Sequence, residues 1–159
     1  MEITLICEVD EELSVRDLSE FLVDLAFLYD RCVMLKENPR QPILYNPDFY
    51  RRWRRLPRGL QLKIRKISKD SPLEIVLTAT TLLGAVMMFL KILNIKKEID
   101  IKSKEIDLKN RDLAIKELEY LERLLKISKE FNIPPEQVHF LRRDLKKLLG
   151  SSIKIKEIR

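Results

Sequence analysis

The chain has 159 residues, 35% charged and 45% hydrophobic, which suits one domain or a small domain with a long appendage and excludes disorder by composition. Three glycines and a single histidine argue against most glycine-loop and histidine-based chemistry. The net charge of +6 is uneven: residues 1–50 hold eleven acids against four bases, residues 51–69 hold nine bases and no acid, and the other 90 hold 18 bases and 14 acids. An acidic front beside a basic block can pair internally or between subunits, or the block can serve an anionic partner.

Residues 2–9 alternate, with Ile3, Leu5, Cys7 and Val9 on one side and Glu2, Thr4, Ile6 and Glu8 on the other, which predicts a half-buried strand. Met1 leads straight into this pattern without a signal peptide, so a cytoplasmic N-terminus is expected. Ser14 with Asp17 three residues on reads as a helix N-cap. Leu18, Phe21, Leu22, Leu25, Leu28, Tyr29 and Cys32 then predict a helix over about 14–36 that lies on a sheet. Cys7 and Cys32 fall on apolar sides and read as two buried thiols rather than a disulfide or metal pair.

Four prolines mark 38–59 as a connection, with a short strand at 43–45 or a helical turn at 48–55 within it. Inside it, Phe49-Tyr50-Arg51-Arg52-Trp53-Arg54-Arg55-Leu56-Pro57-Arg58 interleaves bases with aromatics. Arg51, Arg52, Trp53, Arg54, Arg55 and Arg58 suit an anionic partner: nucleic acid, with arginines on phosphates and Trp53 stacking, or lipid headgroups. A solvated loop neutralised by the acidic first helix is the plainer alternative. Residues 60–67 alternate as Leu60, Leu62 and Ile64, then slip at Ile67, which predicts a bulge. Leu-Lys-Ile-Arg-Lys-Ile at 62–67 and Ile-Lys-Ile-Lys-Glu-Ile at 153–158 share one pattern and predict strands of one kind of antiparallel sheet.

Ser71-Pro72-Leu73-Glu74 has the form of a capping box and predicts a helix from 72. Between Gly84 and Pro134 no glycine or proline intervenes, so the expectation is one continuous helix over 72–129, about 87 Å long. The alternative is a break near Asn94 that folds the helix into a hairpin. Ile75–Leu90 is uncharged for sixteen residues, shorter than a bilayer core but extendable with Lys91 snorkelling. A transmembrane helix and a helix buried in a soluble core are both open readings. Thr80, Thr81, Gly84 and Ala85 offer small residues for helix packing. Ile99, Ile106, Leu113, Tyr120 and Ile127 recur at seven, and Ile101, Leu108 and Ile115 form a second stripe about 200° away. That suits a helix sandwiched between two neighbours, or a plain dimeric coiled coil. Asn132-Ile133-Pro134-Pro135 ends the helix, another follows over about 135–149, and Gly150 is its C′ residue. His139, beside Arg142 and Arg143, is a remote nuclease-like candidate that lacks a paired nucleophile.

The strand, the Ser-Pro-Leu-Glu junction, the apolar helix and the charged heptads over roughly 60–120 resemble small uncharacterised bacterial proteins. The resemblance implies a bacterial origin and no chemistry. The expected fold is α+β: a small antiparallel sheet with one packed helix at 1–70, an apolar helix at 71–94, a charged heptad helix at 95–130, and a C-terminal helix and strand at 131–159. The expected protein is a non-enzymatic, membrane-associated homo-oligomer at the cytoplasmic face of an inner membrane, a bacterial effector or anchor. The alternative is a soluble, cytoplasmic coiled-coil adaptor that binds nucleic acid or an acidic partner through Arg51–Arg58. No catalytic residue, metal, cofactor or small-molecule substrate is inferred.

Overall fold

The computed structural model describes residues 1–9, 12–37, 60–68, 72–79, 83–105 and 110–159, the side chains of 103–116 excepted. The strand expected at 43–45 and the turn at 48–55 lie outside these residues. In chain order the described elements are β1 Glu2–Val9, α1 Val15–Glu37, β2 Lys63–Ser68, β3 Leu73–Thr78, α2 Leu83–Glu105, α3 Asn110–Glu130, α4 Pro135–Leu149 and β4 Ile153–Ile158. The four strands form one antiparallel sheet in the order β2-β3-β1-β4. The fold is therefore α+β, with the packed first helix and the short C-terminal helix and strand the sequence predicts.

Alternation decides which face of the sheet is buried. Ile3, Leu5 and Cys7 of β1 lie opposite Leu77, Ile75 and Leu73 of β3, and all six are buried with Ile153 and Ile155 of β4. The helices supply the other half of this core through Phe21, Leu25, Leu28, Phe89, Ile92, Leu141 and Leu145. Each such side chain contributes about 1.5–3 kcal/mol by leaving water. Ser14 starts α1 as expected, its Oγ accepting the Asp17 N–H at 3.0 Å while donating to the Asp17 carboxylate at 2.6 Å.

The two strands of shared pattern are the two edges of this one sheet. Each carries a bulge at the same place in the pattern: Arg65 is the extra residue in β2 and Lys156 the extra residue in β4. The bulge explains the three-residue step in each sequence. It returns Ile67 opposite Ile75 and Ile158 opposite Leu5, on the core side, where strict alternation would turn them outward.

Two expectations are corrected. Leu73-Glu74 does not open a helix but begins β3, with Glu74 opposite Ile6. Leu73, Ile75 and Leu77 fill the core side of an inner strand, and β-branched Ile75, Val76 and Thr78 favour that pleated surface. Pro72 stands just before the strand, where its missing N–H costs no ladder bond. Nor is there a continuous helix over 72–129. α2 and α3 fold back on each other, joined by Lys91–Glu130 and by Glu98–Arg123 at 2.6 and 3.0 Å. The helix does not break near Asn94, which stays inside α2 with its side-chain amide donating to the Leu90 carbonyl at 3.1 Å. The hairpin lets β4 return to β1 of its own chain.

The stop at Asn132-Ile133-Pro134-Pro135 has a defined geometry. The Ile133 N–H donates to the Ser128 carbonyl and the Asn132 N–H to the Lys129 carbonyl, with Asn132 at φ 55°. This is a Schellman motif with asparagine at its left-handed position. Gly150, expected to play that part after α4, instead keeps a right-handed φ of −75°, its N–H shared between the Lys146 and Lys147 carbonyls.

Candidate functional site

The basic stretch from Arg51 enters the described residues at β2. Arg51, Arg52, Trp53, Arg54, Arg55 and Arg58 themselves lie outside the described residues, as do Thr80, Thr81 and Ile106. The stretch continues as Lys63, Arg65 and Lys66, all exposed on the edge strand. Arg65, the bulged residue, reaches across β3 to the Glu2 carboxylate of β1. At the opposite edge the other bulged residue, Lys156, meets Glu8 of the same strand at 2.9 Å. β1 thus presents one glutamate to each edge, and Lys63 and Lys66 extend the positive charge at the β2 side. A row of exposed cations on a strand that is a sheet edge among the described residues can hold an anionic chain and also repels a second copy of itself.

Among the described residues two ion pairs have both partners buried. Arg31 Nε of α1 donates to Asp144 Oδ2 of α4 at 2.8 Å, and the Arg31 guanidinium lies over the Phe140 ring at 5.1 Å. Lys96 and Asp100 of α2 pair at 2.8 Å below the sheet edge. Burial draws Lys96 below the ordinary lysine range, against the pull of Asp100. Burial also pushes the nearby Cys7 thiol up to about 12, and raises the Cys32 thiol. Both cysteines are free and buried, as expected, and at neutral pH neither is a thiolate.

A polar groove runs between the start of α1 and the end of α4, lined by Asp17, Glu20, Asp24, Lys146, Lys147 and Ser151. Asp24 is raised by desolvation, partly offset by Lys147. The acidic start of α1 thus meets basic residues from α4. His139 is exposed and stacks edge-on against Phe140 at 5.7 Å. Among the described residues, no group of three or more His, Cys, Asp or Glu could hold a metal ion.

Of the residues singled out for helix packing, Gly84, Ala85 and Ile99 have described surroundings. Ala85 is fully buried in the first turn of α2. A Cβ on Gly84 would come within 2.9 Å of the end of the Lys36 side chain, so the glycine lets the end of α1 approach. Ile99 is half-buried against the core, and Tyr120 and Ile127 are buried. Leu113 belongs to α3, but its side chain is outside the described set. Ile99 and Tyr120 line one groove between α2 and α3.

The transmembrane expectation is overturned. Among the described residues no helix is long and apolar enough to cross a membrane. The uncharged run Ile75–Leu90 is shared between β3 and α2, and Ile75, Leu77, Ala85, Val86, Met88 and Phe89 are buried in the protein's own core. The run is apolar because it supplies two different elements to that core. Comparison with protein-family models, curated proteins and solved structures finds no match for this chain.

Proposed function

We propose that this protein is a non-enzymatic binding module that engages single-stranded nucleic acid through the basic stretch from Arg51 to Lys69. The observation that carries the reading is the charge layout: nine bases and no acid in nineteen residues, interleaved at the start with Trp53 and continuing into β2, an edge strand of the sheet among the described residues. Arginines and lysines neutralise phosphates, and an aromatic among them gives unpaired bases a stacking surface. The exposure of Lys63, Arg65 and Lys66 supports the reading, because this part of the stretch is not spent on the core.

Fluorescence anisotropy with a labelled single-stranded oligonucleotide tests it. Binding should weaken with salt, and Arg51→Gln, Arg52→Gln, Arg54→Gln and Arg55→Gln together should lower the log–log salt slope by about 3, at roughly 0.7 per phosphate contact. Trp53→Ala should weaken binding without changing the slope. Polyglutamate that binds as tightly as the oligonucleotide would transfer the reading to an acidic protein partner. An oligonucleotide that fails to bind at low salt would sink it.

A further inference from the structure

We infer that the Glu2 carboxylate is a built-in competitor at the basic edge, holding Arg65 in place of a phosphate and giving it up when an anionic chain binds. The inference rests on the nucleic-acid reading of the same stretch and concerns how that site is regulated. Lys63 and Lys66 of β2 have no ion pair among the described residues, whereas Arg65 Nη1 donates to Glu2 Oε2. The bulge sets this difference. Arg65 is the extra residue between Ile64, opposite Leu77, and Lys66, opposite Val76, and its side chain crosses β3 to reach β1. Neighbouring strands lie about 4.8 Å apart, so Glu2 stands about 10 Å in from the strand on which Lys63 and Lys66 present their charge. Backbone pairing fixes it there: Glu2 lies opposite Thr78, and beside it the Ala79 N–H donates to the Met1 carbonyl at 2.8 Å.

Competition follows from the chemistry of the pair. A carboxylate and a phosphate offer a guanidinium the same thing, anionic oxygens in a fork, so one Arg65 cannot serve both fully. The other acids nearby on the sheet are engaged elsewhere. Glu8 pairs with Lys156 at 2.9 Å, Glu157 with Arg159 at 2.8 Å, and the charge of Glu74, opposite Ser68, acts on Arg159. Both partners of the Arg65–Glu2 pair are largely exposed, at 70% and 49%, so a phosphate polymer can exchange with the carboxylate at little cost. A buried pair such as Lys96–Asp100 could not open in this way without leaving an uncompensated charge. Lys63 and Lys66 therefore make the first contacts, and Arg65 joins them only as Glu2 is displaced.

Fluorescence anisotropy on the full chain tests this with two probes: a labelled single-stranded oligonucleotide, and labelled inorganic polyphosphate, which carries phosphates without bases. Glu2→Gln should tighten both by about threefold and steepen the oligonucleotide's log–log salt slope by about 0.7, one further phosphate contact. Glu2→Asp keeps the charge but draws the carboxylate back by one methylene, and should act in the same direction. In an Arg65→Gln background, Glu2→Gln should change neither affinity nor slope. Melting curves establish that each variant is folded. Unchanged affinity, weaker binding by Glu2→Gln, or equal tightening with and without Arg65 would overturn the proposal. Polyphosphate binding without oligonucleotide binding would remove the nucleic-acid reading alone, since the same variants then decide the role of Glu2 with polyphosphate. If neither probe binds at low salt, both fall.

Discussion

Lys96 and Asp100 do more than neutralise each other: together they seal the outer edge of the last strand. Lys96 Nζ donates to the Ile153 carbonyl at 3.2 Å, and Asp100 Oδ2 accepts the Ile155 N–H at 2.9 Å. An edge strand would otherwise leave these groups unpaired beside a buried core. The sheet therefore handles its two edges differently, with a buried ion pair under β4 and exposed cations along β2.

Breaking that pair should be costly. Lys96→Met leaves Asp100 buried without its counter-ion and should destabilise the fold by about 3–5 kcal/mol in urea denaturation. Lys96→Met with Asp100→Leu removes both charges and should recover much of the loss. Full recovery is not expected, because the Ile155 N–H then lacks an acceptor, at a cost of about 1–3 kcal/mol. A single substitution that costs under about 1 kcal/mol would show that the pair is solvated.

Asp30 gives the fold a pH dependence of known sign. Desolvation raises its carboxyl from 3.8 to about 6. The folded state then binds this proton more tightly than the unfolded state, so the associated stability is full below pH 4 and is lost as pH rises through 6. Asp30→Asn should match wild type near pH 4 and exceed it at pH 7.5 by roughly 1–2 kcal/mol, after discounting for partial solvent access. Melting curves at the two pH values test this, and an equal effect at both would remove Asp30 as the cause.

The left-handed turn after α3 makes a local prediction. Asn132→Ala should cost roughly 1 kcal/mol and Asn132→Val more, whereas Asn132→Gly should be neutral or slightly stabilising. Equal losses for alanine and glycine would mean that the asparagine side chain, not the backbone angle, carries the effect.

What the sequence disclosed and what it concealed have physical reasons. Strand β1, the Ser14 cap, the slip at Ile67 and the stop at Asn132 were legible because each rests on a local pattern. Ser71-Pro72-Leu73-Glu74 misled because a capping pattern and a β-branched run overlap there. Burial of Leu73, Ile75 and Leu77 in an inner strand outweighs a cap worth about 1 kcal/mol. Lys96 and Asp100, four apart on a charged helix, look like a solvated surface pair, and only the apolar Leu93, Ile95 and Ile99 around them hint otherwise. Arg31 and Asp144 are 113 residues apart, so nothing local joins them. Of the candidate site, the basic stretch from Arg51 was legible as a charge run, but that its end forms an edge strand beside β3 depends on the sheet order.

The bulge in β4 separates two deletions that look alike in sequence. Removing Lys156 should convert Ile-Lys-Ile-Lys-Glu-Ile into a strictly alternating strand. Ile153, Ile155 and Ile158 would all stay on the core side, because the bulge is what now absorbs the extra residue. The main loss is the Lys156–Glu8 ion pair, partly exposed and worth about 0–1 kcal/mol. Removing Lys154 instead makes Ile153 and Ile155 adjacent, and adjacent residues of a strand point to opposite faces. One of two fully buried isoleucines must then leave the core, at a cost near that of an isoleucine-to-alanine change, about 2–5 kcal/mol. Chemical denaturation of the two deletion variants should therefore differ by about 2 kcal/mol or more, with the Lys156 deletion close to wild type. Equal destabilisation by both would show that the bulge holds the strand's register for a reason other than the placement of Ile158.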